Sequence, residues 1–221
     1  MPISYFQCSG CGQEFEPGKV TYTCPTCGGN LDMHFTFEAD PSEVNQSDIL
    51  KSREASIWRY TPLLPVPDPG FNATPLHQVG FTPIYQPENL RKKIGLKKLF
   101  VKDESSNPSA SFKDRASAIV VSRAIDAKID TIIAASTGNA GAAMACMAAS
   151  VGKRANILAP RSAPPAKVAQ LLTYCAQVVL IDGTYDDAFD LSIAASNEFG
   201  WYNRNTGYNP YTVEGKKTAG L

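Results

Sequence analysis

From residue 99 onward, short uninterrupted apolar runs alternate with longer stretches whose apolar residues recur at helical spacing. The runs at 99–103, 131–135, 155–159, 177–181 and 200–202 read as strands, and 112–127, 139–151, 164–175 and 186–199 read as helices. Strand and helix in turn at this spacing predict βαβ units and a parallel sheet. Strands apolar throughout, rather than at alternate positions, predict helices on both faces. The punctuation agrees: Gly152 closes the second helix, Pro164 and Pro165 open the third, and Asp182-Gly183 turns into the fourth. Thr184 with Asp187 three residues on forms a capping box of structural purpose.

Upstream the pattern weakens. Residues 38–47 are polar and read as a linker. Residues 49–60 read as a helix with Ile49, Ile57 and Trp58 inward. Pro62, Pro65, Pro67, Pro69 and Pro75 then impose extended, irregular chain. A short helix opens after Pro87 and stops at Gly95. The expected organisation is a small module over 1–35, an extended approach over 36–98, an α/β lobe over 99–202 and a returning segment over 203–221. The fold class is α/β, a parallel sheet flanked by helices and preceded by the small module.

Composition narrows the function classes. The 221 residues carry no net charge, so nothing points to nucleic acid. The start of the chain lacks the charged and apolar regions of a signal peptide. The longest uncharged run, 131–152, is interrupted by Ser136, Thr137, Gly138 and Asn139, so it reads as strand-turn-helix rather than a membrane span. A soluble cytoplasmic protein is expected. His34 and His77 stand alone, and no nucleophile elbow accompanies them, so serine-hydrolase chemistry has no support.

Four of the six cysteines form two close pairs, Cys8-x-x-Cys11 and Cys24-x-x-Cys27, with Gly12 and Gly28 following each pair. Four thiolates so spaced fit tetrahedral structural zinc, and a module this small would draw its folding energy from the metal. Tyr22-Thr23 and Leu31–Phe35 are expected as short ribbon strands. Cys146 and Cys175 lie in apolar helical patterns and read as core.

Two segments carry candidate chemistry. Ser111 followed by Asp114 reads as a capping box, which puts Lys113 in the first turn of a helix. A cation there faces the positive end of the helix dipole, a field that favours the neutral, nucleophilic amine. The bland alternative is a solvated lysine compensated by Asp114. Ser136-Thr137-Gly138-Asn139 joins a strand to an alanine-rich helix. Such a turn presents free N–H groups to an anion, or is simply a capped βα turn.

Asn107-Pro108 with Ser111-Phe112-Lys113-Asp114-Arg115 resembles the cofactor-lysine segment of threonine synthases, in the tryptophan-synthase-β-like (fold type II) class of pyridoxal-phosphate enzymes. Thr82-Pro83, the Ser-Thr-Gly-Asn turn and Asn209-Pro210 with Glu214-Gly215-Lys216-Lys217-Thr218 follow the same order. The resemblance implies pyridoxal 5'-phosphate attached to Lys113, which also serves as proton-transfer base. It places Asn139 on the cofactor ring, and Ser136, Thr137 and Gly138 on a small amino-acid substrate. It implies conversion of O-phospho-L-homoserine to L-threonine and phosphate, and a homodimer. Ala140 stands where members often carry threonine, and Thr212 where some carry arginine. The family's glycine-rich loop for the cofactor phosphate is not found, so a fragment lacking the second half of the large domain is expected. A cysteate-synthase-like enzyme or a serine/threonine dehydratase would share Lys113 and Asn139. A non-catalytic zinc-ribbon module with a degenerate α/β lobe is the rival from another class, and the intact lysine segment and turn argue against it.

Overall fold

The computed structural model describes residues 3–36 and 46–221, so the expected linker at 38–47 lies mostly outside the described residues. The N-terminal module is a three-stranded antiparallel sheet of β1 (Ile3–Cys8), β2 (Glu14–Phe15) and β3 (Leu31–Phe35), in the order β2-β1-β3. Phe6, Cys8, Cys24 and Leu31 are its buried residues. The strand expected at Tyr22-Thr23 is reduced to one bridge, Thr23 to Asn30. Tyr22 turns outward instead: its hydroxyl accepts from the Asn203 N–H at 2.9 Å and its ring stacks on Tyr208. That contact docks the module on the α/β lobe.

The helix expected over 49–60 is two pieces. Helix α1 (Gln46–Lys51) stops early, and a 3-10 helix spans Ile57–Leu63. Ser56 divides them. It is extended, and its Oγ accepts from the Trp58 N–H at 3.1 Å, the side-chain-to-backbone bond that starts a new helical turn. Ile57 and Trp58 are buried as expected. After β4 (Ile84–Tyr85) comes α2 (Glu88–Lys93), closed by Gly95 at φ +73°. The run at 99–103 contributes only β5 (Val101–Lys102), which pairs antiparallel with β4 and takes no part in the parallel sheet. Its charged positions suit a separate two-stranded ribbon.

The parallel sheet begins at β6 (Thr131–Ala135), which follows α3 (Lys113–Asp126). It continues through α4 (Asn139–Ala149), β7 (Arg154–Pro160), α5 (Pro165–Thr173), β8 (Gln177–Ile181), α6 (Tyr185–Phe199) and β9 (Tyr202–Asn203), and α7 (Tyr211–Lys217) follows. The four strands run parallel in the order β8-β7-β6-β9. Side chains alternate across the sheet with the period of two that a strand imposes. Ile132, Ala134 and Ile157 pack with α3 and α4, whereas Ile133, Ala135 and Leu158 pack with Ala188 of α6. Both faces of β6 and β7 are covered, as their continuous apolar runs predict, whereas the edge strand β8 leaves Val179 and Leu180 exposed. The Thr184–Asp187 capping box is present at the start of α6.

Cys146 is buried, but Cys175 is exposed. The apolar pattern there ends in a helix stop. Cys175 adopts φ +57°, its N–H bonds to Leu172 O, and the Ala176 N–H bonds to Leu171 O, closing the last carbonyls of α5. No helix among the described residues is long and apolar enough to cross a membrane.

Helix α7 crosses α3 at Gly215. A Cβ there would collide with the Arg115 carbonyl and lie 2.7 Å from Ala116 Cα. Backbone cannot yield as a side-chain tip can. Gly215→Ala is therefore expected to lower stability by about 3 kcal/mol, at the upper end of overpacking costs, measured as the shift of a urea unfolding midpoint.

Candidate functional site at the sheet switch point

Connections from β6 run to one side, through β7 and β8, while β9 lies on the other. Loops leaving β6 and β9 therefore diverge at the C-terminal ends of the two strands, where open α/β sheets bind ligands. The loop after β6 is Ser136-Thr137-Gly138, and the loop after β9 starts at Arg204. They are tied together, because Asn205 Oδ1 accepts from the Ala135 N–H at 2.8 Å.

The β6 turn is built around Ser136. Its buried Oγ accepts from the N–H groups of Gly138 (3.2 Å) and Gly141 (2.8 Å). This hydroxyl, expected at the substrate, holds the turn through those two bonds. The N–H groups of Thr137, Asn139 and Ala140 have no acceptor among the described residues, at the start of the 11-residue helix α4. That is an anion-accepting end. Asn139 is exposed, with Oδ1 accepting from Lys167 Nζ of α5 at 2.8 Å. Ser136→Ala is expected to cost about 1 kcal/mol, the usual value of a lost cap, read from urea unfolding.

The lysine segment is held differently from the expected capping box. Ser111 Oγ does accept from the Lys113 N–H at 3.0 Å, but the N-cap position falls one residue later, on Phe112, which makes no side-chain cap bond. Asp114 does not reach back to Ser111. Its buried carboxylate accepts from the Ser109 N–H at 2.7 Å and from the Ser109 hydroxyl. Burial raises the Asp114 pKa. The loop it fastens holds Ala110 at φ +58°, a left-handed conformation disfavoured for a residue with a Cβ. Strain of that kind persists where surrounding contacts over-determine it.

A second clamp lies beneath. Arg115 donates from Nε and Nη2 to the two Glu104 carboxylate oxygens at 2.8 and 2.9 Å, from Nη2 to Thr82 Oγ1 at 3.2 Å, and from Nη1 to Thr218 Oγ1 at 3.0 Å. Asn107 Nδ2 donates to Glu104 Oε2, and the Gly80 N–H donates to Asn107 Oδ1. The approach, the lysine loop, α3 and the C-terminal segment thus meet at one guanidinium.

Lys113 itself is half-buried at the first position of α3. Among the described residues its ammonium has no ion pair, and its Nζ lies 5.5 Å from the centre of the Phe112 ring. Two further cations stand near. Ser117, one helical turn along the same face of α3, accepts from Arg204 Nε at 3.3 Å. Arg204 is 1% exposed, and its Nη2 has no partner among the described residues. Burial brings its pKa down to about 10. Burial, then the charges of Arg204 and Lys113, hold Lys216 below the usual lysine range. Arg204 therefore links the β6/β9 crevice to the Lys113 face of α3. Sequence reasoning did not single out Arg204, and it noted Lys216 only within the Glu214–Thr218 segment, without a role. Their signal was an unpaired basic residue beside a short strand and another beside a helix-contact glycine.

The residues fit the group the lysine segment suggests: a primary amine with no ion pair among the described residues, an anion-accepting turn and, tied to the Lys113 face of α3 through Ser117, a buried guanidinium N–H without a partner. The model for pyridoxal-phosphate dependent enzymes matches residues 76–221. The chain belongs to that family. It is 36% identical over 213 residues to a threonine synthase of Methanocaldococcus jannaschii, covering 96% of this chain and 51% of that protein. It is 37% identical over 218 residues to a threonine synthase of Methanosarcina acetivorans, covering 98% of this chain and 52% of that protein. The chain thus spans about half the length of these relatives. Among solved structures, maize serine racemase superposes with a TM-score of 0.58 at 27% identity, covering 66% of this chain and 44% of that one. A tomato threonine deaminase superposes with a TM-score of 0.61 over 82% of this chain and 45% of that one, at 22% identity, a likeness of fold alone.

The four cysteines form a separate centre. Their sulfurs all lie within 4.8 Å of one another, with Cys8–Cys27 at 3.4 Å and Cys11–Cys24 at 3.7 Å. None is in a disulfide. Gly12 and Gly28 adopt φ +74° and +73°, as the curl around each pair requires. Gly29 is needed for space, since a Cβ there would lie 2.8 Å from Cys8 Sγ. The Cys11 N–H, with that of Gly10, brings the Cys8 thiol down to about 6.

Proposed function

We propose that this chain carries the lysine-bearing half of a threonine-synthase-like active site that converts O-phospho-L-homoserine and water to L-threonine and phosphate. The observation that carries the reading is the Lys113 amine, without an ion pair among the described residues at the start of α3, in a chain matched to threonine synthases over nearly its whole length. Pyridoxal phosphate, when bound, supplies an electron sink for carbanions at the substrate's α and β carbons. Lys113 Nζ holds the cofactor and moves the proton at the substrate α carbon. The free N–H groups of Thr137, Asn139 and Ala140 receive the substrate carboxylate. In this reading the side-chain amide nitrogen of Asn139, whose Oδ1 accepts from Lys167 Nζ, would donate to the cofactor ring hydroxyl. Arg204 and Lys216 add positive charge that favours a multiply anionic substrate over a neutral one.

The test is covalent capture. The protein is incubated with pyridoxal phosphate, reduced with borohydride and mapped by mass spectrometry. Label on Lys113 is expected; label confined to Lys216 or Lys167, or none, overturns the assignment. In any active preparation, release of phosphate rather than ammonia separates this reaction from a dehydratase.

The same reading assigns structural zinc to Cys8, Cys11, Cys24 and Cys27. Zinc–sulfur bonds of about 2.3 Å in a tetrahedron place sulfurs about 3.8 Å apart, close to the spacings of 3.4 and 3.7 Å. Metal analysis is expected to find one zinc per chain. Chelation is expected to disorder residues 3–36 while the β6–β9 sheet keeps its amide protection.

A further inference from the structure

Strand β9 is an edge of the parallel sheet, and its last residue, Asn203, is buried there. The next residue completes the ladder with β6, the Arg204 N–H donating to Ile133 O at 2.8 Å. Asn203 turns its own backbone groups the other way, where no strand follows among the described residues. A buried edge left unpaired is costly. Two side chains fill it. The Tyr22 hydroxyl accepts from the Asn203 N–H at 2.9 Å, and Asn209 Nδ2 donates to the Asn203 carbonyl at 2.7 Å. Tyr22 comes from the four-cysteine module, two residues before Cys24. The Thr23–Asn30 bridge and the bond from the Cys24 N–H to Gly29 O hold that stretch against the second cysteine turn. The fold of the cysteine turns therefore places this hydroxyl.

From Asn203 the bonds continue into the site. Asn203 Oδ1 accepts from the Asn205 N–H at 2.9 Å, and the buried Ser192 Oγ accepts from Asn205 Nδ2 at 2.7 Å. Asn205 Oδ1 in turn accepts from the N–H of Ala135, the residue before Ser136. Arg204 lies between the two asparagines. We propose that Tyr22 is a positioning residue, through which the four-cysteine module sets the β6 turn and Arg204. The proposal deepens the site assigned above, yet its readouts need neither cofactor nor turnover. Failure of Lys113 to take the label leaves it standing, and its own failure leaves the labelling result untouched.

The test is amide exchange and amide NMR spectra of the 221-residue chain and its variants. Tyr22→Phe keeps the ring that stacks on Tyr208 and removes only the hydroxyl. It is expected to speed exchange at Asn203 and Ala135 about fivefold, the factor that one net hydrogen bond carries. Neither N–H donates to a strand partner, so Ile157 in the middle of β7 is expected to keep its rate. The amide resonances of Thr137 and Arg204 are expected to shift. Adding Tyr22→Phe to Asn205→Ala is expected to leave Ala135 no faster than Asn205→Ala alone. Cys24→Ser with Cys27→Ser is expected to release the same two amides, and Tyr22→Phe to add nothing to it. Exchange that changes at Asn203 alone, or rises equally at Asn203, Ala135 and Ile157, shows a docking contact without a positioning role and overturns the proposal. So do unshifted Thr137 and Arg204 resonances, additive effects of Tyr22→Phe and Asn205→Ala at Ala135, or a cysteine variant in which Ala135 stays as slow as in the parent chain.

Discussion

Lys113→Ala is expected to abolish borohydride-stable attachment of pyridoxal phosphate while leaving the fold intact. The two halves of that outcome have separate causes. Attachment needs a primary amine that is not already held in an ion pair, and Lys113 has none among the described residues. The ammonium also stands at the positive end of α3 and within reach of the Lys216 charge. Removing it relieves unfavourable interactions, each worth a few tenths of a kcal/mol at a partly exposed helix end. The melting temperature should therefore hold or rise slightly. Lys113→Arg keeps the charge and should also lose attachment, which separates the amine's chemistry from its electrostatics. Attachment that survives Lys113→Ala but disappears with Lys216→Ala would move the role to α7.

The sheet was legible because its signal is local. A strand buried on both faces reads as an unbroken apolar run wherever it falls, and the alanine-rich α4 reads as a helix that packs closely. The 99–103 run misled for the same reason: an apolar pattern reports burial potential, not the partner strand. Ser56 broke the expected 49–60 helix through a hydrogen bond to the Trp58 N–H, which a weak pattern cannot reveal. At the site, Lys113 and the Ser136–Asn139 turn were found because each lies in one continuous segment. The Arg115 clamp was not, because Thr82, Glu104 and Thr218 come from segments up to 103 residues away from Arg115. Nor was the orphaned Nη2 of Arg204, since burial of a guanidinium depends on every element around it.

Arg115→Met is expected to cost about 3 kcal/mol at neutral pH and to loosen the Lys113 helix start. Methionine keeps much of the volume, so the loss is electrostatic. Glu104, Thr82 and Thr218 would be left facing an apolar side chain, and breaking one partner of a buried pair typically costs about 3–5 kcal/mol. The lower figure applies because the Glu104 side chain is 19% exposed while Arg115 is 1% exposed. The pH dependence identifies the partner. Burial works against the Glu104 charge, but the Arg115 guanidinium and the Thr82 hydroxyl outweigh it and hold the pKa below the usual glutamate range. A depressed carboxylate contributes stability above its unfolded pKa, and that contribution is lost as pH falls through the folded value. Without Arg115 the same burial would raise the pKa, so the variant suffers most where Glu104 must be charged. The stability gap between the two proteins, from urea melts, should be full at pH 7 and narrow below about pH 4. A gap that stays constant from pH 7 to the acid limit would show that Arg115 acts through Thr218 and packing rather than through Glu104. In that case α7, not the Glu104 loop, would be what fixes the start of α3.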